Sequence, residues 1–300
     1  MKNVSFVGGL CALLATMIWS GNFIVARGLG DVIPPFTLAC LRWSTGTVAI
    51  MPFAAPLIWR DRALLMKHWK HLFVSSVLGV TVFNTLIYIA AHTTSAMNMT
   101  LIATTTPVFV IILSRIFLGE TITANRAIGL VVAVAGIVTL VTRGNLDVLM
   151  GLDFRVGDLW MLLAGFIWAV YSIIIRKKPK EINQFAYLGV TFLAGVLPLI
   201  PAAAIELSVA PPLNITPTVI GSVLYIGIGA SLISYMLWTK AVTSIGPVIP
   251  SLIYYSLPAF CGMEAYLFLN EPVTMIHGVA FLLIVGGIVF ATHPKFQKKA

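Results

Sequence analysis

Ten apolar stretches follow one another with little between them, and no other feature limits the fold as strongly. Their approximate limits are 4–26, 35–59, 71–91, 94–118, 124–142, 156–176, 183–206, 217–239, 244–269 and 274–292. Each is about 19–25 residues long, which is what a helix needs to cross about 30 Å of hydrocarbon. A chain inside lipid must satisfy its backbone groups internally, so these segments are expected to be helices. No connection leaves room for a soluble domain. The chain is 59% hydrophobic and only 10% charged, against about 25% charged in an ordinary soluble domain. The bilayer is therefore its solvent and its first partner.

The net charge of +9 is dispersed between the apolar spans, a pattern that sets membrane topology and does not form a nucleic-acid surface. Of the 19 lysines and arginines, only Arg27, Arg143 and Arg155 fall on one side, Arg42 lies within a span, and the remainder fall on the other. This bias places both termini in the cytoplasm and the chain in a bacterial-type inner membrane. Met1-Lys2 and the apolar run behind it resemble a signal peptide. The run is longer than a usual signal core, and Leu10 spoils a lipoprotein site at Cys11, so an uncleaved first helix is expected. Cys11, Cys40 and Cys261 lie in apolar segments without metal spacing, as buried hydrophobes do.

A shift of about 150 residues superposes the two halves of the chain. Leu13-Leu14-Ala15 and Ile18-Trp19 fall on Leu162-Leu163-Ala164 and Ile167-Trp168. Pro107 and Glu120 fall on Pro258 and Glu271, and Gly136-Ile137-Val138 falls on Gly287-Ile288-Val289. The expected units are 1–148 and 149–300. Each holds five spans, an odd number, so the second must sit inverted relative to the first. Inverted repeats are an architecture of secondary transporters, in which the halves exchange roles as gates.

These matches carry a family likeness. Leu41-Arg42-Trp43, the stretches Pro107…Leu118-Gly119-Glu120 and Pro258…Leu269-Asn270-Glu271, and the glycine-bearing fifth and tenth spans resemble the drug/metabolite transporter superfamily. In that family's terms the chain is two EamA-type five-helix halves. Within the family it is most similar to bacterial aromatic amino-acid exporters. The resemblance implies an all-α integral membrane fold of ten helices around a central cavity, and export of small metabolites. Two departures stand out: the second half has no arginine matching Arg42, and Asn270 replaces the terminal glycine.

The residues say where a substrate would sit. Pro107 and Pro258, at related positions, are read as helix breaks that shape gates, freeing the carbonyls of Ala103 and Tyr254. Thr81, Asn84, Thr85, Tyr88 and His92 share one face of the third span, and Ser231, Ser234, Tyr235 and Trp238 share the matching face of the eighth. Lipid penalises such groups, so both stripes should face inward. His92, at the outer end of its span, reads as an interfacial side chain. Trp19 and Asn22 lie one turn apart on the first span, as do Trp168 and Tyr171 on the sixth, while Asn98, Tyr254 and Ser256 flank the breaks. Aromatic faces with neutral hydrogen bonders suit a small zwitterion with an apolar or modestly polar side chain. A phosphorylated ligand would need clustered interior cations, which this lining does not have.

Arg42 and Glu264 each sit about 10 Å below the outer boundary, at a 1.5 Å rise per residue. Equal depth permits an Arg42–Glu264 ion pair or shared polar network, the alternative being that each side chain snorkels separately to the interface. A cavity-facing Glu264 would be a candidate proton carrier. The fifth and tenth spans carry Gly129, Gly136, Gly278, Gly286 and Gly287, which allow close helix approach or a weak homo-oligomer. No metal cluster, paired interior aspartates or nucleophile–base set marks an enzyme, and no cofactor is called for. The competing reading is a broad drug/metabolite uniporter or a channel-like facilitator.

Overall fold

A computed structural model describes residues 2–29, 32–94, 99, 102–145, 147–151, 155–269 and 275–292. Every regular element among them is helical. We number the main helices α1 (Lys2–Leu29), α2 (Pro35–Arg60), α3 (Trp69–Thr93), α4 (Thr106–Leu118), α5 (Ala124–Thr142) and α6 (Val156–Arg176). Next come α7 (Gln184–Val209) and α8 (Pro217–Ile245), then α9 (Val248–Ile253 and Leu257–Leu269, joined by the 3-10 turn Tyr254–Ser256) and α10 (Met275–Thr292). Among the described residues, α3, α5, α6, α7, α8 and α10 are long and apolar enough to cross a membrane.

The helix ends follow from local chemistry. Pro35 opens α2 at its first turn, where a missing N–H costs nothing. The orphan donors of that turn are taken by Glu206 of α7, whose carboxylate accepts from Phe36 N (3.2 Å), Thr37 N (2.7 Å) and Thr37 Oγ1 (2.7 Å). Glu206→Ala should therefore lower stability by about 1 kcal/mol. An unchanged melting midpoint in detergent would show that water replaces the carboxylate there. Asp158 caps α6 by accepting from Arg155 N (2.8 Å) and from the Thr94 hydroxyl, which ties α6 to the end of α3. Gly119 (φ +67°) and Gly246 (φ +81°) close α4 and α8 in left-handed backbone that a side chain would strain.

Two prolines expected inside helices instead begin them. Pro107 sits in the first turn of α4, directly after a turn at 104–105. The main-chain oxygen taken up at that break is that of Thr104, which accepts the Tyr255 hydroxyl. Pro258 follows the 3-10 turn of α9, and the Tyr254 carbonyl accepts the N–H of Leu257. A tighter i→i+3 turn is a common way to end one helix before the next begins. The expectations placed on Asn98, Asn270 and Glu271 lie outside the described residues.

The polar stripes of α3 and α8 contain a feature that periodicity does not disclose. Val77–Val82 of α3 and Tyr225–Ile233 of α8 are π-helical. Ser231 Oγ donates to Ile226 O (3.0 Å) and Ser234 Oγ to Gly229 O (3.1 Å), each reaching back five residues. A π segment widens the helix and frees carbonyls for other donors. Gly79 O of the first segment accepts Tyr235 Oη (2.8 Å), and Ala230 O of the second accepts Trp19 Nε1 (2.8 Å). Each widened turn thus binds a side chain from the other half of the sequence.

Helices α5 and α10 pack through glycine. A Cβ on Gly129 would lie 2.5 Å from Gly287 O, and one on Gly287 would lie 2.6 Å from Gly129 O. A Cβ on Gly136 would lie 2.9 Å from Ile284, whereas Gly278 and Gly286 have nothing within 4 Å. At the loop ends, Glu120 lies 3.7 Å from Arg126, and Arg176 donates to the last carbonyls of α8 at Val242 and Thr243. Burial pushes the Glu120 carboxyl up, against the pull of Arg126 and Arg176. His92 is exposed at the end of α3.

Candidate functional site

A cavity of about 40 Å³ lies between the helices, and its α3 and α8 walls begin just after the two π segments. Its wall is made by Trp19 and Asn22 of α1, Arg42 of α2, and Phe83, Asn84, Ile87 and Tyr88 of α3. Trp168 of α6, Tyr235 of α8 and Tyr254 of α9 complete it. Trp19 and Trp168, the tryptophans that the 150-residue shift aligns, meet edge to face with centroids 5.4 Å apart. Offset and edge-on contacts of this kind are the favoured aromatic geometry. Tyr235 stands edge-on to both Trp19 (5.9 Å) and Trp168 (5.8 Å).

Three residues placed at the cavity by sequence do not reach it. Trp238 is wedged behind the wall against Trp19 (5.2 Å) and Trp168 (5.6 Å), and its buried indole N–H has no partner among the described residues. Tyr171 packs beneath Trp168 (5.3 Å) and fills the space over Gly79. Ser256 turns its hydroxyl to Ile253 O (2.7 Å) in its own helix. Their spacing puts them on inward helix faces, but one layer too deep. Phe83 and Ile87 are wall residues that a search for polar groups passes over. Their i, i+4 spacing beside Asn84 and Tyr88 was the available signal.

Arg42 is 1% exposed and is held entirely by neutral groups. Its Nε donates to Ser231 Oγ (2.7 Å), Nη1 to Asn22 Oδ1 (3.2 Å) and Tyr88 Oη (3.1 Å), and Nη2 to Ala230 O (3.2 Å). Trp43 lies alongside, with the guanidinium 5.4 Å from its ring centre. The expected Arg42–Glu264 pair is not made. Glu264 instead accepts from Ser20 Oγ (2.8 Å), and its other oxygen is buried with no hydrogen-bond partner among the described residues. The helices of the two charges turn them toward different neighbours. Glu264 is also absent from the cavity wall, so the condition for its acting there as a proton carrier is not met in this conformation.

A second polar chain joins α3 to α8: Asn84 Nδ2 donates to Tyr235 Oη (3.3 Å), which in turn donates to Gly79 O (2.8 Å). Thr81, named with the same stripe, spends its hydroxyl on Gly195 O (2.7 Å) and joins α3 to α7. Among the described residues no group of three or more His, Cys, Asp or Glu is placed to hold a metal ion.

Known proteins share this architecture and sequence. A family model described as the EamA-like transporter family matches residues 6–142 and again residues 155–292. An uncharacterized transporter of Archaeoglobus fulgidus is 27% identical, over 96% of this chain and 98% of that protein. The uncharacterized transporter YyaM of Bacillus subtilis is 23% identical, over 96% of this chain and 95% of its own length. The WAT1-related protein At3g02690 of Arabidopsis thaliana is 25% identical, over 92% of this chain and 67% of that protein. A solved crystal structure at 20% identity superposes with a TM-score of 0.78, over 95% of this chain and 96% of that one, and so shares the fold. Two matches to one family model, covering most of the sequence, and relatives named as transporters settle the class: the chain belongs to the EamA-like transporter family and is a multi-pass membrane transporter.

Proposed function

We propose that this protein is a secondary transporter that exports small neutral amino acids, apolar or aromatic ones foremost, and related metabolites by alternating access. The observation that carries the reading is the cavity itself. Aromatic faces and neutral hydrogen bonders line it where α1, α3, α6 and α8 meet, and small-molecule sites favour such linings. The substrate contacts in this reading are Trp19, Asn22, Asn84, Tyr88, Trp168, Tyr235 and Tyr254, with Trp238 and Tyr171 as the layer behind them.

The architecture in this reading is ten membrane helices in two five-helix units, 1–148 and 149–300, the second inverted relative to the first. Three observations support it: the paired family matches, the π segments at related places in α3 and α8, and the meeting of Trp19 with Trp168. Charge bias puts both termini in the cytoplasm of an inner membrane. A cavity of about 40 Å³ holds a few water molecules. An amino acid enters only when the walls part, and the breaks before Pro107 and Pro258 are where helices can pivot. The test is an uptake screen of the amino acids in proteoliposomes, with and without a pH gradient. Saturable flux of at least one neutral amino acid is expected. Flux no greater than in protein-free vesicles for every amino acid ends this reading, and a linear, unsaturable flux marks a channel-like facilitator instead.

A further inference from the structure

We propose that Arg42, Tyr88 and Asn22 form a carboxylate-reading pole in the cavity, so that a free carboxylate is what the transporter requires of its substrate. This rests on the transport reading above and sharpens it from an aromatic-lined site to one with a defined charge preference.

The first argument is charge. A guanidinium stays charged at every physiological pH, and Arg42 is 1% exposed at the cavity wall. Its four partners are a hydroxyl, a phenol, an amide oxygen and a main-chain carbonyl. Among the described residues no carboxylate lies within 4 Å of it, and none lines the cavity. Neutral acceptors orient a buried cation without cancelling its charge, and an uncancelled charge at membrane depth is costly. A substrate anion completes the pair when it binds.

The second argument is donor arithmetic. Arginine has five N–H donors; four have partners here, leaving one on Nη2. A guanidinium cannot accept, so Asn22 must present its oxygen to Nη1, which leaves its NH₂ group unpartnered among the described residues. Tyr88 Oη likewise accepts from Nη1 and retains a proton to donate. All three residues border the same space. A carboxylate has about four acceptor positions, enough to absorb these donors.

The third argument is a second polar group in the same cavity. One turn before Tyr88 on the same face of α3, Asn84 spends its NH₂ on Tyr235, which leaves Asn84 Oδ1 without a partner among the described residues and able to accept from a substrate ammonium group. Trp19, Trp168 and Tyr254 offer aromatic faces beside it, which attract cations and apolar side chains alike. The 150-residue shift brings Phe192 opposite Arg42, so the pole exists in one half only.

The test uses the full-length protein in proteoliposomes with L-alanine, L-leucine and L-phenylalanine, each against its own amide. The acids should be transported with half-saturation at least tenfold lower than the amides, since hydrogen bonds to a charged group are the strong ones. Tyr88→Phe removes one donor and keeps the ring. It should shrink the acid-to-amide ratio about tenfold, with a larger loss in Arg42→Gln and partial recovery in Arg42→Lys. If Arg42 only braces α2 against α8, its variants lose stability while the ratio in Tyr88→Phe stays at the wild-type value, which overturns the proposal. Equal transport of acids and amides overturns it too and leaves the transport reading intact. No flux of any of the six probes through the wild-type protein overturns the proposal for these substrates, and silence across the full amino-acid screen overturns the transport reading as well.

Discussion

Gly129→Leu will force α5 away from α10 and cost the fold about 2–3 kcal/mol, the upper range for overpacking. The reason is what the new atoms meet. A Cβ at Gly129 would stand 2.5 Å from Gly287 O, 2.6 Å from Ala291 Cβ and 2.8 Å from Ala291 N. Two of these are backbone atoms that no rotamer change removes. Helices in lipid gain nothing from apolar burial as such, because acyl chains are as apolar as leucine, so close packing is what holds them. Gly286→Leu is the internal control. It lies one residue from the contact, on the same helix, with nothing within 4 Å. The detergent melting midpoint should fall sharply for the first variant and stay near wild type for the second. Equal shifts would mean that the glycine contact does not hold the two helices together.

Trp168→Ala should be the most damaging single change at the cavity. The indole touches Phe83 (4.5 Å), Tyr171 (5.3 Å), Trp19 (5.4 Å), Trp238 (5.6 Å) and Tyr235 (5.8 Å). Large aromatic-to-alanine truncations in cores cost about 3–5 kcal/mol, and here the void would also join the cavity and spoil its shape. We expect loss of nearly all saturable transport with a lowered melting midpoint. Trp168→Phe should restore most of the stability while leaving transport selectivity altered. Trp59→Ala, at a site 74% exposed, should change neither by a measurable amount. Wild-type transport by Trp168→Ala would remove the cavity from the substrate's path.

The helical spans could be read from sequence because lipid leaves the backbone no alternative to helix. The starts of α5 and α6 fall on the hydropathy limits 124 and 156. The regions near Pro107 and Pro258 were harder: hydropathy cannot distinguish a kinked helix from two helices joined by a turn. The π segments of α3 and α8 left no signal, because they depend on which side chains from other helices take the freed carbonyls. Arg42 and Glu264 show the same limit. Rise per residue gives a position along each helix, but helix rotation decides the neighbour, and it turns Arg42 to Ser231 and Ala230 and Glu264 to Ser20. Glu206 went unnoticed because its role belongs to the N-terminus of α2, some 170 residues away in sequence. Most of the cavity wall was legible, since aromatic and amide groups on inward helix faces have few other reasons to be there. Trp238, Tyr171 and Ser256 were misplaced by one packing layer, a distance that helix spacing does not resolve.

The central claim is that one cavity opens in turn to each side of the membrane. Ile87 lines it and takes no part in the polar chains, so Ile87→Cys, in a protein with Cys11, Cys40 and Cys261 replaced by alanine, reports on access. The measurement is labelling by a membrane-impermeant thiol reagent in right-side-out and inside-out vesicles. The account predicts labelling from both sides, slowed from both by a transported amino acid. Labelling from one side only, unaffected by every amino acid, would contradict it.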